Sequence, residues 1–160
     1  MTLRHAVLAF ACAAIAASAG CARGDAQPPP SCTPQVNATL AGLIARDEPQ
    51  PADGVMVCGT TLSSSRPQRG GPHGGHELIP VRAPLPGGTY ALVEVVTNDA
   101  LDGVVTAPRG ASVVALGQYF HTSARQRPYV AGIHETHCPT HRGGAAGYVI
   151  VNGVRYGCGA

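Results

Sequence analysis

The sequence predicts a mainly β protein, a small antiparallel barrel or sandwich with one N-terminal helix. Six or seven short runs rich in valine and other strand-forming residues follow one another between residues 55 and 158. Turns rich in glycine and proline separate these runs. Only the segment that begins near residue 33 has apolar residues at helical spacing. Short strands divided by such turns are typical of small barrels and sandwiches.

The first 20 residues are predicted to be a signal peptide. Arg4 and His5 form a short basic start, and residues 6–19 are small or apolar without interruption. That run is shorter than the roughly 20 apolar residues needed to cross a bilayer, and it suits the apolar part of a signal peptide. The residues before Cys21 resemble a bacterial lipobox, with Ser18 where leucine or valine is usual. We therefore expect an exported envelope protein with lipid on Cys21; the alternative is a soluble periplasmic or secreted protein.

Residues 21–31 are predicted to be a proline-rich, lipid-anchored tether. Residues 32–160 have the length of a single domain, and no second shift in composition divides them. The chain carries eleven basic residues, all arginine, against nine acidic ones. It therefore lacks the strong basic footprint of a dedicated nucleic-acid-binding protein. The expected partners are a membrane, through the N-terminal lipid, and a polar or anionic ligand.

Four cysteines of the predicted mature domain are expected to form two disulfides. An even number of cysteines in an exported chain favours disulfides, and three pairings are possible. Spacing favours the two locally closed pairs, Cys32–Cys58 and Cys138–Cys158. A cysteine-rich metal site is disfavoured because no C-x-x-C pair is present. For Cys138, a disulfide is favoured over a role as a catalytic nucleophile.

The elements can be placed in chain order. A helix is predicted to begin at Thr33, a capping residue, and Pro34, which suits the first helical position. The predicted strands are residues 55–62, 76–83, 89–97, 112–120, 129–135, 148–151 and 154–158. An Asn-Gly pair between the last two strands predicts a tight hairpin. Residues 63–76, rich in serine, glycine and proline, are predicted to be a loop.

The segment GIHETHCPTH, residues 132–141, carries the strongest candidate site. Its H-E-T-H spacing is one residue shorter than the H-E-x-x-H of zinc proteases, which also requires a helix. A looser metal site remains, in which His134 and His137 bind an ion, with zinc as the candidate cofactor. The alternative is that they are hydrogen-bonded loop residues, and this reading is preferred for His141. Glu135 is either a general base or a solvated charge.

Side chains from neighbouring strands are expected to enter the same site. His76, Asn98 and Asp102 stand at predicted strand ends, although each could also be a turn or surface residue. Tyr119 is expected near His134, because residues 112–120 and 129–135 are joined by a short turn and should pair antiparallel. The predicted ligand-binding residues are therefore His76, Asn98, Tyr119, His134 and His137. We also expect His134 and Thr136 to leave one face of a strand, with His137 turning back beside them.

The arginines cluster in predicted loops, at Arg66 and Arg69, at Arg125 and Arg127, and at Arg142. If these loops converge, their planar guanidinium groups would suit phosphate or carboxylate groups.

From residue 117 onward the sequence resembles an uncharacterised family of short, exported bacterial proteins. The shared pattern is G-x-Y, then a glycine shortly before I-H-x-T-H with a nearby proline, then a glycine–aromatic pair and an Asn-Gly hairpin that ends in tyrosine. The matching positions are Gly117, Tyr119, Gly132, Ile133, His134, Thr136, His137, Pro139, Gly147, Tyr148, Asn152, Gly153 and Tyr156. Glu135 and Tyr148 stand where that family tends to have tryptophan. The resemblance implies a compact β-barrel of OB type, importance for His134 and His137, and no established activity.

Two functions fit these observations. The first is a non-enzymatic, envelope-tethered binding module, whose barrel mouth is ringed by histidine and arginine and holds a polar or anionic ligand. The second is a metal-dependent hydrolase of esters or phosphodiesters, in which a metal on His134 and His137 activates water. The first is favoured.

Overall fold

The computed structural model describes residues 31–71 and 74–160. The predicted signal peptide, Cys21 and nearly all of the predicted tether lie outside the described residues. A 3-10 turn, Pro34–Asn37, continues into helix α1, Ala38–Ala45. Five strands follow: β1 (Ala52–Thr61), β2 (Arg66–Gly71), β3 (Gly74–Pro84), β4 (Tyr90–Asn98) and β5 (Ser112–Phe120). After a second 3-10 turn, Ala124–Gln126, come strands β6 (Ala131–His134), β7 (Tyr148–Val151) and β8 (Val154–Gly157). No helix in the described part of the chain is long and apolar enough to cross a membrane.

Five strands close into a barrel. The pairing runs β1–β3–β4–β6–β5, and β5 pairs back with β1 to close the ring. The β4–β6 pairing is parallel, and the other pairings given for the described strands are antiparallel. Strands β7 and β8 extend the sheet from β5, and β2 pairs with β3. The prediction of a mainly β protein with a small OB-like barrel and one N-terminal helix is confirmed, and the parallel β4–β6 pairing departs from the antiparallel arrangement that was predicted.

The barrel interior is filled mainly by small and β-branched side chains. Alternate residues of β4, which are Ala91, Val93 and Val95, belong to this core, as the two-residue period of a strand requires. Helix α1 adds Leu40 and Leu43 to the same cluster. Valine dominates because branched side chains pack well on a pleated surface.

Asn37 joins the helical segment to the barrel. Its fully buried side chain accepts a hydrogen bond from the backbone N–H of Cys58 at 2.8 Å. The amide group donates to the carbonyl of Cys58 at 3.0 Å and to that of Pro84 at 2.7 Å. Thr33, the predicted cap, makes no side-chain capping bond. The polar contacts that position the helix therefore come from Asn37.

Both predicted disulfides are present, Cys32–Cys58 and Cys138–Cys158. Two disulfides in one small domain indicate an oxidising, extracytoplasmic compartment.

The predicted loop over residues 63–76 is wrong, because β2 lies within it. Arg66 pairs with Leu78 and Gln68 with His76, so β2 forms an antiparallel hairpin with β3. Proline at position 67 is compatible with this strand, since β2 lies beside the closed barrel and pairs with β3 alone among the described strands. The Asn-Gly hairpin is confirmed, with positive φ at Asn152 (48°) and Gly153 (85°) between β7 and β8.

Candidate functional site

Four of the five predicted ligand-binding residues line one cavity. His76, Asn98, His134 and His137 surround a space of about 80 Å³, which we call the histidine cavity; Val96 and Glu135 complete its lining. The sheet register explains the convergence. His76 of β3 pairs with Asn98 of β4. Ile133 of β6 pairs with Val95 of β4, and the next residues along these two strands are His134 and Val96.

Tyr119 is the exception among the predicted residues. Its side chain is fully buried in the barrel core, and its hydroxyl donates to the backbone carbonyl of Glu48 at 2.9 Å. The predicted antiparallel pairing of the two strands is present, with Tyr119 opposite Ile133. Because side chains alternate along a strand, Tyr119 faces the interior while its neighbour Gln118 reaches the site. Tyr119 is therefore a core residue and not part of the candidate site.

Gln118 fixes the orientation of the His134 imidazole. The Nε2 atom of Gln118 donates to Asp53 Oδ1 at 2.6 Å, and its Oε1 atom lies 2.9 Å from Nε2 of His134. A carboxylate only accepts hydrogen bonds, so the amide nitrogen must face Asp53 and the amide oxygen must face His134. Nε2 of His134 then carries the hydrogen, and the lone pair of the neutral ring lies on Nδ1. Burial lowers the pKa of His134, which favours this neutral form.

Phe120 packs against the other side of His134. The two rings meet edge to face with centroids 5.2 Å apart. Gly132 makes room for this arrangement, because a Cβ atom at that position would overlap the Phe120 ring. The G-x-H spacing of the motif therefore serves the packing around the histidine.

The loop after β6 brings His137 back toward His134. Glu135 has a left-handed backbone with φ 53°, so the strand ends at His134 and Thr136 turns into the interior, where it is fully buried. The Nδ1 atom of His137 lies 2.8 Å from the carbonyl oxygen of Cys138. A carbonyl only accepts, so Nδ1 carries the hydrogen and the neutral ring presents its lone pair on Nε2. The predicted return of His137 is therefore present. His134 and Thr136 do not leave one face of a strand as predicted, because β6 ends at His134 and Thr136 is buried in the loop that follows.

The carboxylate of Glu135 lies between the two histidines. Its Oε1 atom is 3.7 Å from Nδ1 of His134, and its Oε2 atom is 3.3 Å from Nε2 of His137. These are the two ring nitrogens that carry no hydrogen in the neutral tautomers.

Asp102 supports this loop through hydrogen bonds. Its buried Oδ2 atom accepts hydrogen bonds from the backbone N–H of Asn98 at 2.7 Å and from the Thr136 hydroxyl at 3.1 Å. Burial raises the pKa of Asp102, and these hydrogen bonds and the nearby His137 oppose the shift. Asp102 therefore joins the end of β4 to the histidine loop, and it does not line the cavity itself.

Three of the predicted loop arginines converge on a second space, which we call the arginine cleft. It measures about 390 Å³ and lies between the β2–β3 hairpin and the segment before β6. Its lining residues are Arg66, Gln68, Leu78, Glu94, Val96, Arg125, Gln126, Arg127 and Tyr129. Val96 lines both the cleft and the histidine cavity, so the two spaces share one face of the barrel.

Glu94 places a carboxylate in the arginine cleft. Its side chain is buried, and its Oε1 atom lies 3.6 Å from a guanidinium nitrogen of Arg66. Burial raises the pKa of Glu94 more strongly than the charge of Arg66 lowers it. The sequence carried a signal for this residue, because Glu94 interrupts the otherwise apolar run LVEVV.

The remaining candidates lie elsewhere. Arg69 and Arg142 do not line the arginine cleft. His141 lines a different space of about 260 Å³, together with Asp53 and Glu135. In the described ranges, no three His, Cys, Asp or Glu side chains are already arranged to hold a metal ion.

Comparison with known proteins gives no relative on which to base a function. No protein-family model matches the chain, and no curated protein matches it. The resemblance to a family of short exported proteins stays a prediction from the sequence.

Proposed function

We propose that this domain is an extracytoplasmic binding module for an anionic ligand, which it holds in the arginine cleft. The observation that carries the proposal is the convergence of Arg66, Arg125 and Arg127. These arginines come from two segments far apart in the chain and line one concave space. Three arginines and one buried carboxylate, that of Glu94 beside Arg66, line this space, so the cleft has an excess of positive charge.

The lining suits a phosphate or carboxylate group better than a purely apolar molecule. A guanidinium group donates two parallel hydrogen bonds to either group, which gives both strength and orientation. Leu78, Val96 and Tyr129 supply an apolar surface beside the charged groups. This combination suits a ligand that carries anionic groups on a larger body.

The position of the cleft within the barrel supports the same proposal. OB-type barrels bind oligonucleotides and oligosaccharides on the face of their second and third strands, between the loop after the first strand and the loop after the fourth. Here β3 and β4 are the second and third strands of the barrel. The cleft lies on them, between β2, which follows the first barrel strand, and the segment after β5 that contains Arg125 and Arg127.

Titration with inorganic triphosphate at low salt tests the proposal, because this probe offers three linked anionic groups. We expect calorimetry to detect binding to the wild type and a loss of about tenfold in affinity for Arg66→Gln, Arg125→Gln or Arg127→Gln, since a charged hydrogen bond contributes about 1.5–3 kcal/mol. Arg109→Gln is the matched control, because Arg109 is exposed and does not line the cleft. Equal losses in Arg109→Gln, or no loss in the three cleft variants, would contradict the proposal.

A binding function is preferred to the metal-dependent hydrolase considered from the sequence. The cleft arginines already line one space and can bind an anion without a further component, whereas hydrolysis would also require a metal ion with a substrate held beside it. Binding also requires no reacting group in the cleft.

The proposal includes attachment to a membrane by lipid on Cys21, which the lipobox-like residues before it support. We expect the wild type to fractionate with membranes and Cys21→Ala to be released into the soluble exported fraction. A wild-type protein found only in that soluble fraction, beginning after residue 21, would exclude the lipid anchor.

A further inference from the structure

Two histidine nitrogens and one carboxylate face each other without a hydrogen between them. Hydrogen bonding assigns the hydrogen of His134 to Nε2, which faces Gln118, and that of His137 to Nδ1, which faces the carbonyl of Cys138. The lone pairs therefore lie on Nδ1 of His134 and Nε2 of His137. Both of these atoms face the carboxylate of Glu135, at 3.7 and 3.3 Å.

Such an arrangement of acceptors is repulsive unless a cation lies among them. A carboxylate accepts hydrogen bonds only, and a neutral imidazole nitrogen without a hydrogen also accepts only. Either a proton on one ring or a bound metal ion would turn the repulsion into attraction. The question is which of the two cations these residues are arranged to receive.

The spacing of the acceptors is close to that of ligands around one transition metal ion. Nitrogen and oxygen ligands bind zinc at about 2.0–2.2 Å in a tetrahedron, which places neighbouring ligand atoms about 3.3–3.6 Å apart. The separation of 3.3 Å between Glu135 Oε2 and His137 Nε2 lies in this range, and that of 3.7 Å between Glu135 Oε1 and His134 Nδ1 is slightly longer.

The hydrogen-bond partners of the two histidines also favour a metal ion. A metal-binding histidine usually donates its other N–H to a carbonyl, a carboxylate or a comparable acceptor, which fixes the tautomer and the ring orientation. His134 has the amide oxygen of Gln118 in this role, and that amide is held in turn by Asp53. His137 has the carbonyl of Cys138, whose position the Cys138–Cys158 disulfide restrains.

The backbone of Glu135 is a separate observation. A positive φ is uncommon for glutamate, which lacks the tolerance of glycine or asparagine for the left-handed region. Strained backbone positions of this kind cluster at ligand sites and active sites. Here the unusual φ places the glutamate between His134 and His137.

The geometry points to a binding site for a divalent transition metal ion, with His134 Nδ1, His137 Nε2 and the Glu135 carboxylate as ligands. The three ligands are not preformed around one point, and the exposed Glu135 side chain turns to complete the set. His76 and Asn98 line the remaining wall of the cavity. The volume of about 80 Å³ leaves room for a water ligand, which occupies about 30 Å³ in the liquid. The site does not depend on the arginine cleft, so either proposal can fail alone.

The test is zinc binding by the exported protein, purified without an affinity tag and stripped with a chelator. We expect titration calorimetry to give about one equivalent of zinc per chain, and we expect His134→Ala and His137→Ala to abolish binding. Glu135→Gln should lower the affinity by at least about tenfold. His121→Ala is the matched control, because His121 is exposed and pairs with Asp47 away from the cavity.

Cobalt binding provides a second measurement, which depends neither on the heat of binding nor on an enzymatic activity. The wild type should give the intense visible absorption of a four-coordinate cobalt ion, and Glu135→Gln should change that spectrum while circular dichroism stays that of the folded wild type. The metal site is overturned if the stripped wild type binds no zinc. It is also overturned if Glu135→Gln binds zinc as the wild type does, or if His121→Ala loses as much affinity as the two cavity variants. The cation that relieves the repulsion would then be a proton.

Discussion

The amide oxygen of Gln118 lies 2.9 Å from Nε2 of His134, while the amide nitrogen of the same side chain donates to Asp53. These residues come from three strands, β5, β6 and β1. The orientation of a histidine in the H-x-T-H motif is therefore set by residues outside the motif.

Gln118→Leu should weaken zinc binding by about 10- to 100-fold, as loss of an outer partner does at other metal sites. The leucine keeps the bulk of the side chain but removes the acceptor that holds the His134 ring. We expect thermal unfolding to change little, because Gln118 is only partly buried. Calorimetry with zinc measures the effect, and Gln50→Leu, at an exposed position outside the cavity, is the control. Equal zinc affinity in Gln118→Leu and wild type would show that Gln118 does not position the ring.

Glu94→Gln should strengthen the binding of inorganic triphosphate to the arginine cleft. The substitution keeps the shape of the side chain, removes the negative charge and releases Arg66 from its ion pair. We expect a gain of a few-fold, since an interaction between a charged pair near a surface is worth about 1 kcal/mol or less. Titration of both proteins in the same buffer measures it. Glu48→Gln, which removes a carboxylate outside the cleft, should leave the affinity unchanged.

The stability of the domain should depend on pH through Glu94. Burial raises the pKa of Glu94 in the folded protein above its ordinary value of 4.5, so the folded state holds this proton more tightly than the unfolded state. The resulting contribution to stability is fully present below pH 4.5 and is lost as the pH rises through the folded pKa. Urea unfolding at pH 5 and pH 8 measures this effect. The free energy of unfolding of Glu94→Gln, relative to that of the wild type, should be higher at pH 8 than at pH 5. A difference that stays constant between the two pH values would contradict this assignment.

Tyr119→Phe should lower the free energy of unfolding by about 0.5–1.5 kcal/mol, the usual net worth of one hydrogen bond. The ring still fills the barrel core, and only the bond to the carbonyl of Glu48 is lost. Zinc and triphosphate binding should both stay at the wild-type level, because Tyr119 lines neither space. Urea unfolding and the two titrations measure these outcomes together. If Tyr119→Phe bound zinc or triphosphate more weakly without being less stable, Tyr119 would have to be assigned to a binding site.

The fold could be predicted from the sequence because its signals are local. Valine-rich runs, Gly-Pro turns and the Asn-Gly pair mark the strands, and cysteine spacing favoured the disulfide pairs that are present. Strand β2 was missed because its residues, RPQRGG, have a poor strand propensity. Tertiary pairing with β3 overrides that preference.

The candidate site was predictable only where residues stand at strand ends. His76, Asn98, His134 and His137 were found in this way, and the sheet register brings them together. Tyr119 was expected in the site, but side chains alternate along a strand, so its neighbour Gln118 contacts His134 while Tyr119 lies in the core. The convergence of Arg66 with Arg125 and Arg127 depends on long-range packing, which spacing along the chain does not encode.

The disulfide between Cys32 and Cys58 has a mechanical consequence. Cys32 lies near the start of the described domain, and Cys58 lies within β1, a strand of the closed barrel. Tension applied through the chain that precedes residue 32 would enter the barrel directly at Cys58. The 3-10 turn and helix α1 lie inside the covalent loop and would carry none of that load. The domain can therefore be pulled or sheared from its N-terminal side without its helix being peeled away, and the barrel strands would be the first part to resist.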